Sequence, residues 1–359
     1  MRVSRVLVVG GTFLDRVLLS QVLNQDAALQ VVGLTTSGPA ALAKIAATAP
    51  DLVVLTPDGG GADGLPTLAA LLARFPDLPV ILFSDQARRR SSFTLEALAL
   101  GASDYVTAPA RMADTASGGE VLPAAAQLVR EELAPRVKLF ARSGGPTPAP
   151  ARVGTGGACR GEISVVAVGV SSGGPAALAK VLPRLPSDFP VPVLIVQHMP
   201  AGMTQVLANS LTASCHLRVA EGVQGAQLRP GTVWLAPGGA HMGVFRFGSA
   251  RRLRIHDEPP ENSCRPSADV LFRSVANAYG AVLAVVLTGM GQDGLRGCEA
   301  VRAAGGEVLA QDEASSTVWG MPGSVVRAGI ANLVLPLGEI GQHIARRVGR
   351  KGGLPPEAN

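Results

Sequence analysis

Short continuous apolar runs alternate with longer stretches of helical period along nearly the whole chain, and that alternation fixes the kinds of fold open to it. In the first 110 residues the runs are Arg5–Val9, Gln30–Leu34, Leu52–Thr56, Val80–Ser84 and Asp104–Thr107. Helical patterns lie between and after them, at Phe13–Asn24, Gly38–Ala49, Gly64–Phe75, Ser91–Leu100 and Val121–Leu139. Runs without polar alternation belong to strands covered on both faces, the environment of a parallel sheet. Five β-α units therefore predict a doubly wound α/β domain with its site at the C-terminal ends of the strands.

At Ala141–Gly161, ARSGGPTPAPARVGTGGACRG, both periodicities stop and Gly, Pro, Ala and Ser dominate, as in a flexible linker. The expected organisation is a first domain over 1–142, a linker over 143–160, a second α/β domain over 161–350 and a disordered tail over 351–359. With 47% hydrophobic and 16% charged residues the chain can bury two cores. No apolar run reaches the ~20 residues of a membrane span, so no membrane insertion is expected. The apolar run within MRVSRVLVVGG is too short for a secretion signal and reads as the first strand. The cysteines Cys159, Cys215, Cys264 and Cys298 are scattered without a C-x-x-C pair. That usage points to free thiols in a reducing cytoplasm, with neither disulfides nor a bound metal. The net charge of +5 is not gathered into a dense basic motif, and aromatics are only 4%, which argues against nucleic acid.

The second half is organised around AVGVSSGGPAALAK, Ala167–Lys180. An apolar strand, Ile163–Val168, enters it and a helix leaves it. Gly169-Val170-Ser171-Ser172-Gly173 fits G-x-S-x-G, a sharp strand-to-helix turn that lifts Ser171 above a sheet. By itself the pattern fits a nucleophile, a plain turn or a phosphate cradle. Strand Val191–Val196 ends in Gln197-His198-Met199-Pro200, so His198 lies where α/β sites form, as a base or as a structural histidine. His241, after the strand Thr232–Ala236, is a rival. Gly243–His256 reads as a hairpin whose arginines are solvated. A helix, Ser267–Ala278, precedes the strand Ala281–Leu287, which ends in TGMGQDG; Asp293 there is either the cap of the next helix or an acid that orients a histidine. The order serine, histidine, aspartate differs from the Ser…Asp/Glu…His order of α/β-hydrolases.

Six ordered stretches make the second half specific: VGVSSGG, VLIVQHMPAGMT, WLAPGGAHM, CRPSADVLFRSVA, VLTGMGQDGLRG and AQDEASSTVWGMPGSV. They resemble the catalytic domain of chemotaxis protein-glutamate methylesterases. The resemblance implies an α/β methylesterase domain with a mostly parallel sheet, in which Ser171 is the nucleophile, His198 the base and Asp293 the orienting acid. It implies oxyanion and substrate-positioning roles around Ser172, Gly173 and the Met290 N–H, with no cofactor. Cys264 stands where that family is expected to carry a histidine or phenylalanine. The implied reaction is hydrolysis of glutamate methyl esters on the cytoplasmic helices of methylated chemoreceptors, with deamidation of receptor glutamines. A small-molecule serine esterase and a non-enzymatic signalling scaffold are the alternatives.

The first half resembles flavodoxin-like response-regulator receiver domains, through VLVVGGTFLDRVLLSQVL, APDLVVLTPDGGGADGLPTL and LEALALGASDYVTAP. A histidine kinase or adaptor is the partner such a domain implies. Gly10 and Gly11 replace the acidic pair that holds Mg²⁺ in receivers, Thr56 replaces the phosphoryl-accepting aspartate, and Ala108 replaces the lysine before Pro109. Ser84 keeps the hydroxyl expected after the fourth strand, and Asp15, Asp58 and Asp63 remain nearby. The expectation is a pseudo-receiver that keeps the fold without the phosphoryl chemistry.

Overall fold

In the computed structural model of the chain, the described residues are 3–36, 38–56, 64–76, 78–85, 92–108, 118–142 and 161–349. The chain divides into two compact units, Met1–Pro146 and Thr147–Asn359. The expected linker and tail, together with Asp58, Asp63 and Pro109, lie outside the described residues.

In the first unit β1 (Ser4–Gly10), β2 (Leu29–Thr35), β3 (Leu52–Thr56), β4 (Val80–Asp85) and β5 (Asp104–Ala108) pair in parallel, in the order β2-β1-β3-β4-β5. Val6–Val9 and Leu52–Leu55 are wholly buried at its centre, which is why those strands carry no polar alternation. The helices are α1 (Phe13–Leu23), α2 (Pro39–Thr48), α3 (Gly64–Arg74) and α4 (Ser92–Leu100). The last expected helix is interrupted: α5 (Gly118–Leu128) passes through a π turn, Val129–Leu133, into α6 (Ala134–Arg142). Pro135 explains the wider turn, because it has no N–H for the carbonyl of Glu131 and its ring would crowd that carbonyl.

In the second unit β6 (Val165–Val170), β7 (Val193–Gln197), β8 (Val219–Glu221) and β9 (Val233–Leu235) precede a separate antiparallel ribbon of β10 (His241–Phe247) and β11 (Ala250–His256). The strands β12 (Val282–Val286), β13 (Glu307–Gln311) and β14 (Leu333–Leu335) complete a seven-stranded parallel sheet, ordered β14-β13-β12-β6-β7-β9-β8. Its helices are α7 (Gly174–Val181), α8 (Met203–Ser214), α9 (Ala268–Tyr279), α10 (Leu295–Ala303), α11 (Met321–Arg327) and α12 (Leu337–Gly349). From β6 the chain moves to β7 on one side, and from β12 to β13 on the other. That divergence opens a crevice at the C-terminal edge of the sheet, where ligand sites of such folds form. The hairpin arginines are not simply solvated. Arg246 Nε and Arg251 Nε both donate to Ala278 O (3.1 and 3.0 Å), satisfying a carbonyl at the end of α9, and Arg252 Nη1 donates to Gly225 O. No helix among the described residues is long and apolar enough to cross a membrane.

Candidate active site

Three strand ends carry the expected residues to one edge of the sheet. Ser171 follows β6, His198 follows β7 and the Asp293 loop follows β12. Gln197 is the last residue of β7, paired with Val170 on β6. The Ser171 N–H donates to Thr288 O (3.0 Å), which ties the Ser171 turn to the loop after β12. Gly173 caps α7 at φ +77°, and the Ser172 carbonyl accepts from Thr288 Oγ1 at 2.9 Å. The β12 loop approaches so closely that a Cβ on Gly289 would lie 2.8 Å from Ser171 Cβ and 2.5 Å from Met321 Sδ. Only glycine fits there.

His198 and Asp293 meet directly, Nε2 to Oδ2 at 2.7 Å. Asp293 is 2% exposed. Its Oδ2 also accepts the Ala268 N–H (2.6 Å), and its Oδ1 accepts Ser267 Oγ (2.7 Å), the Asp269 N–H (3.1 Å) and Asn262 Nδ2 (3.1 Å). Burial by itself would raise its pKa, but the His198 hydrogen bond and charge, with Ser267 and the Ala268 N–H, hold it well below the usual carboxylate range. Asp293 is therefore a cap as well, though of a different helix from the one it precedes. The N-cap of α10 is Gly294, whereas the Asp293 carboxylate sits on the first N–H groups of α9. Asp269, in the first turn of α9, accepts the Gly297 N–H of α10 through Oδ1 (2.5 Å). The two helices exchange caps.

For His198 burial works against the cation, and the hydrogen bonds to Asp293 and Cys264 outweigh it, so its pKa is raised to about 9. Its other ring nitrogen, Nδ1, lies 3.7 Å from Cys264 Sγ. Nδ1 is thus the nitrogen that Asp293 leaves free, with the Cys264 sulfur as its partner among the described residues. No hydrogen bond joins it to Ser171 Oγ among the described residues, a looseness common in unliganded hydrolase sites. His198, Cys264 and Asp293 also offer three possible metal-ligand atoms within 4.8 Å of one another. The five donors already on the Asp293 carboxylate leave it poorly placed to bind a cation.

His241, the rival, is buried and spent on structure: its Nδ1 accepts the Ser267 N–H (3.3 Å) and its Nε2 donates to Pro259 O (3.1 Å). Sequence reasoning passed over Gln197, whose Nε2 donates to the carbonyls of both Ser171 (3.0 Å) and His198 (3.1 Å), and over Asn262, Ser267 and Asp269. The one available signal was Gln197's place next to His198 at a buried strand end.

In the first unit the strand-end positions have the geometry that their small residues allow. Gly10 and Gly11 take φ +79° and +70°, and a Cβ on Gly10 would lie 2.2 Å from Thr56 O. Thr56 is buried and its hydroxyl donates to Val9 O at 2.9 Å. Arg16 Nη1 donates to Gly10 O (3.1 Å) and Gly11 O (2.6 Å). The Asp15 carboxylate accepts from Thr12 N (2.7 Å) and Oγ1 (2.8 Å) in a capping box. Ser84 is buried, and Ala108 pairs with Asp85 at the end of β5.

Residues 166–344 match the CheB methylesterase family model and residues 6–116 match the response regulator receiver domain model. The chain is 42% identical over 355 residues to a protein-glutamate methylesterase/protein-glutamine glutaminase of Trichodesmium erythraeum, covering 96% of this chain and 99% of the relative. It is 42% identical over 359 residues to one from a Nocardioides strain, covering 97% and 96%. Among solved structures, the Thermotoga maritima CheB methylesterase catalytic domain is similar at 37% identity and a TM-score of 0.51, over 51% of this chain and 98% of that one. With the same two-domain order and near-complete coverage, the chain belongs to the protein-glutamate methylesterase/protein-glutamine glutaminase family.

Proposed function

We propose that this chain is a serine hydrolase that removes methyl esters from glutamate side chains of chemoreceptors, releasing methanol, and deamidates receptor glutamines. The observation that carries the reading is the buried Asp293–His198 pair at 2.7 Å beside the Ser171 turn, in a chain so similar to methylesterases along its whole length. Ser171 Oγ attacks the ester carbonyl while His198 Nδ1 takes its proton, and Asp293 keeps Nε2 protonated and the ring in place. The Met290 N–H has no acceptor among the described residues, which suits a donor waiting for an oxyanion. The tetrahedral intermediate collapses, His198 protonates the departing methoxide, and methanol leaves. Water then attacks the acyl-enzyme, with His198 again as base and then as acid to Ser171. An amide passes through the same intermediate and releases ammonia. Replacing Ser171 by Ala is expected to lower methanol release from methylated receptor by about 10⁶-fold with an unchanged melting temperature. Near-parental release in that variant would remove the nucleophile assignment.

The first unit is, in the same proposal, a pseudo-receiver that docks a partner without taking a phosphoryl group. Its support is steric and electrostatic: the β1–α1 loop has no room for side chains at 10 and 11, Thr56 spends its hydroxyl on Val9, and the Arg16 guanidinium binds the loop carbonyls. A cationic guanidinium there opposes a second cation.

A further inference from the structure

One short turn touches both the acid and the base of the site. Glu261 and Cys264 exchange backbone hydrogen bonds (3.1 and 2.9 Å), and the two residues between them, Asn262 and Ser263, sit at φ +52° and +62°. Asparagine is among the few non-glycine residues that enter this left-handed region readily. The turn is anchored to α9 by the Glu261–Arg273 ion pair. From it Cys264 Sγ reaches His198 Nδ1, and Asn262 Nδ2 donates to Asp269 Oδ2 (2.8 Å) as well as to Asp293 Oδ1 (3.1 Å).

Asp269 and Asp293 are 1% and 2% exposed. Two carboxylates so buried and so close repel each other, and burial together with the Asp293 charge already pushes Asp269 up to about 6. A neutral carboxamide between them gives each an N–H without adding charge. A lysine or arginine in its place would draw the Asp293 charge away from His198. Besides each other, the charged or titratable groups facing the pair among the described residues are His198, Glu261, Arg273, Arg296 and Cys298, with Cys264 on the far nitrogen of His198.

We propose that Asn262 is a positioning residue of the hydrolase, whose carboxamide bridges Asp269 and Asp293 so that Asp293 Oδ2 stays on His198 Nε2. The proposal rests on the serine-hydrolase reading above and extends it to a residue that touches neither substrate nor nucleophile.

The test uses the full-length protein and a fluorophosphonate probe, so that no receptor has to be identified. Ser171 Oγ displaces fluoride from phosphorus, an O–P bond forms as the P–F bond breaks, and His198 accepts the hydroxyl proton. Asn262→Gly keeps the left-handed backbone and removes the amide. Asn262→Asp keeps the shape and adds a carboxylate. Asn262→Gly is expected to label about 10- to 100-fold more slowly than the parent, in protein shown folded by its thermal melt. Asn262→Asp is expected to label more slowly as well, with the pH limb of its labelling rate displaced to the alkaline side because added negative charge favours the His198 cation. A lower melting temperature in Asn262→Gly with the parental labelling rate would make Asn262 a turn residue only and overturn the proposal. Parental rate and pH limb in Asn262→Asp would overturn it too. Unchanged labelling in Ser171→Ala is a different failure, that of the nucleophile assignment itself.

Discussion

Each neighbour of His198 takes a particular ring nitrogen, and that choice sets the path of the proton. Asp293 holds Nε2, so in the proposed mechanism Nδ1 is the base nitrogen, the reverse of the trypsin-type template in which Nδ1 faces the acid. With its pKa raised to about 9, His198 is mostly protonated at neutral pH, and only the neutral ring can accept the serine proton. Turnover is therefore expected to rise from pH 7 towards a plateau above about 9, measured as the pH profile of kcat/KM. The linked stability runs the other way. A folded pKa above the ordinary 6.5 stabilises the fold below that value, and the contribution is lost as pH rises through about 9. Asp293, depressed, contributes above its ordinary 3.8 and loses that contribution as the solution is acidified. Because the Cys264 sulfur helps hold the imidazolium, Cys264→Ala should shift the activity limb to lower pH and raise the rate at pH 7; an unmoved limb would show that the sulfur has no hold on the base. The meeting of His198 with Asp293 near the Ser171 turn was legible because each of the three residues sits in a short signal at a strand end. Asn262, Ser267 and Asp269 were not, since they matter only through the close approach of α9 and α10.

At the scale of elements, the exchanged caps show that a capping role for Asp293 does not exclude its contact with His198. A carboxylate that serves two helix ends and one imidazole has no single local signature. Asp293→Asn points an NH₂ group at donors that need an acceptor. It is expected to cost about 1–3 kcal/mol in stability and about 10⁴-fold in turnover, and a melt and a rate measurement on one preparation test both. A fall in stability with nearly full turnover would make the residue a cap alone. Gly289→Ala probes the other contact, the β12 loop pressed onto the Ser171 turn. Its methyl would meet Ser171 Cβ and Met321 Sδ, so overpacking should cost about 1–3 kcal/mol and displace Ser171, lowering kcat more than it alters KM. Strand and helix periods revealed most elements of the first unit. They missed the π turn, which follows from one proline's steric demand, and in the second unit the strands β8, β13 and β14 and the helices α8, α11 and α12.

At the scale of the molecule, the composition break at Ala141–Gly161 revealed two α/β halves, whereas the seven-strand order of the second depends on long-range pairing that no local pattern encodes. The halves differ in what their strand ends hold. In the second unit the strand ends bring Ser171 beside the hydrogen-bonded His198–Asp293 pair. In the first they hold glycines, a threonine bound to its own neighbour strand, and an arginine on the loop carbonyls. Incubation with acetyl phosphate and Mg²⁺ is accordingly expected to give no acid-labile phosphoprotein and no change in esterase rate. Nor should Thr56→Asp alone recover labelling, because Gly10 and Gly11 supply no metal ligand and a side chain at Gly10 has no room beside Thr56 O. The first domain keeps a buried five-stranded core and has a surface to offer, with Phe13 and Leu14 at the start of α1 exposed. If its role is docking or partner-gated cover, deleting residues 1–142 must change demethylation of native receptor, while the similar Thermotoga maritima catalytic domain, solved as a separate structure, gives reason to expect that the remainder folds. Stoichiometric phosphorylation with a rise in rate would end the pseudo-receiver reading, and equal rates on native receptor with and without residues 1–142 would end the docking and cover roles together.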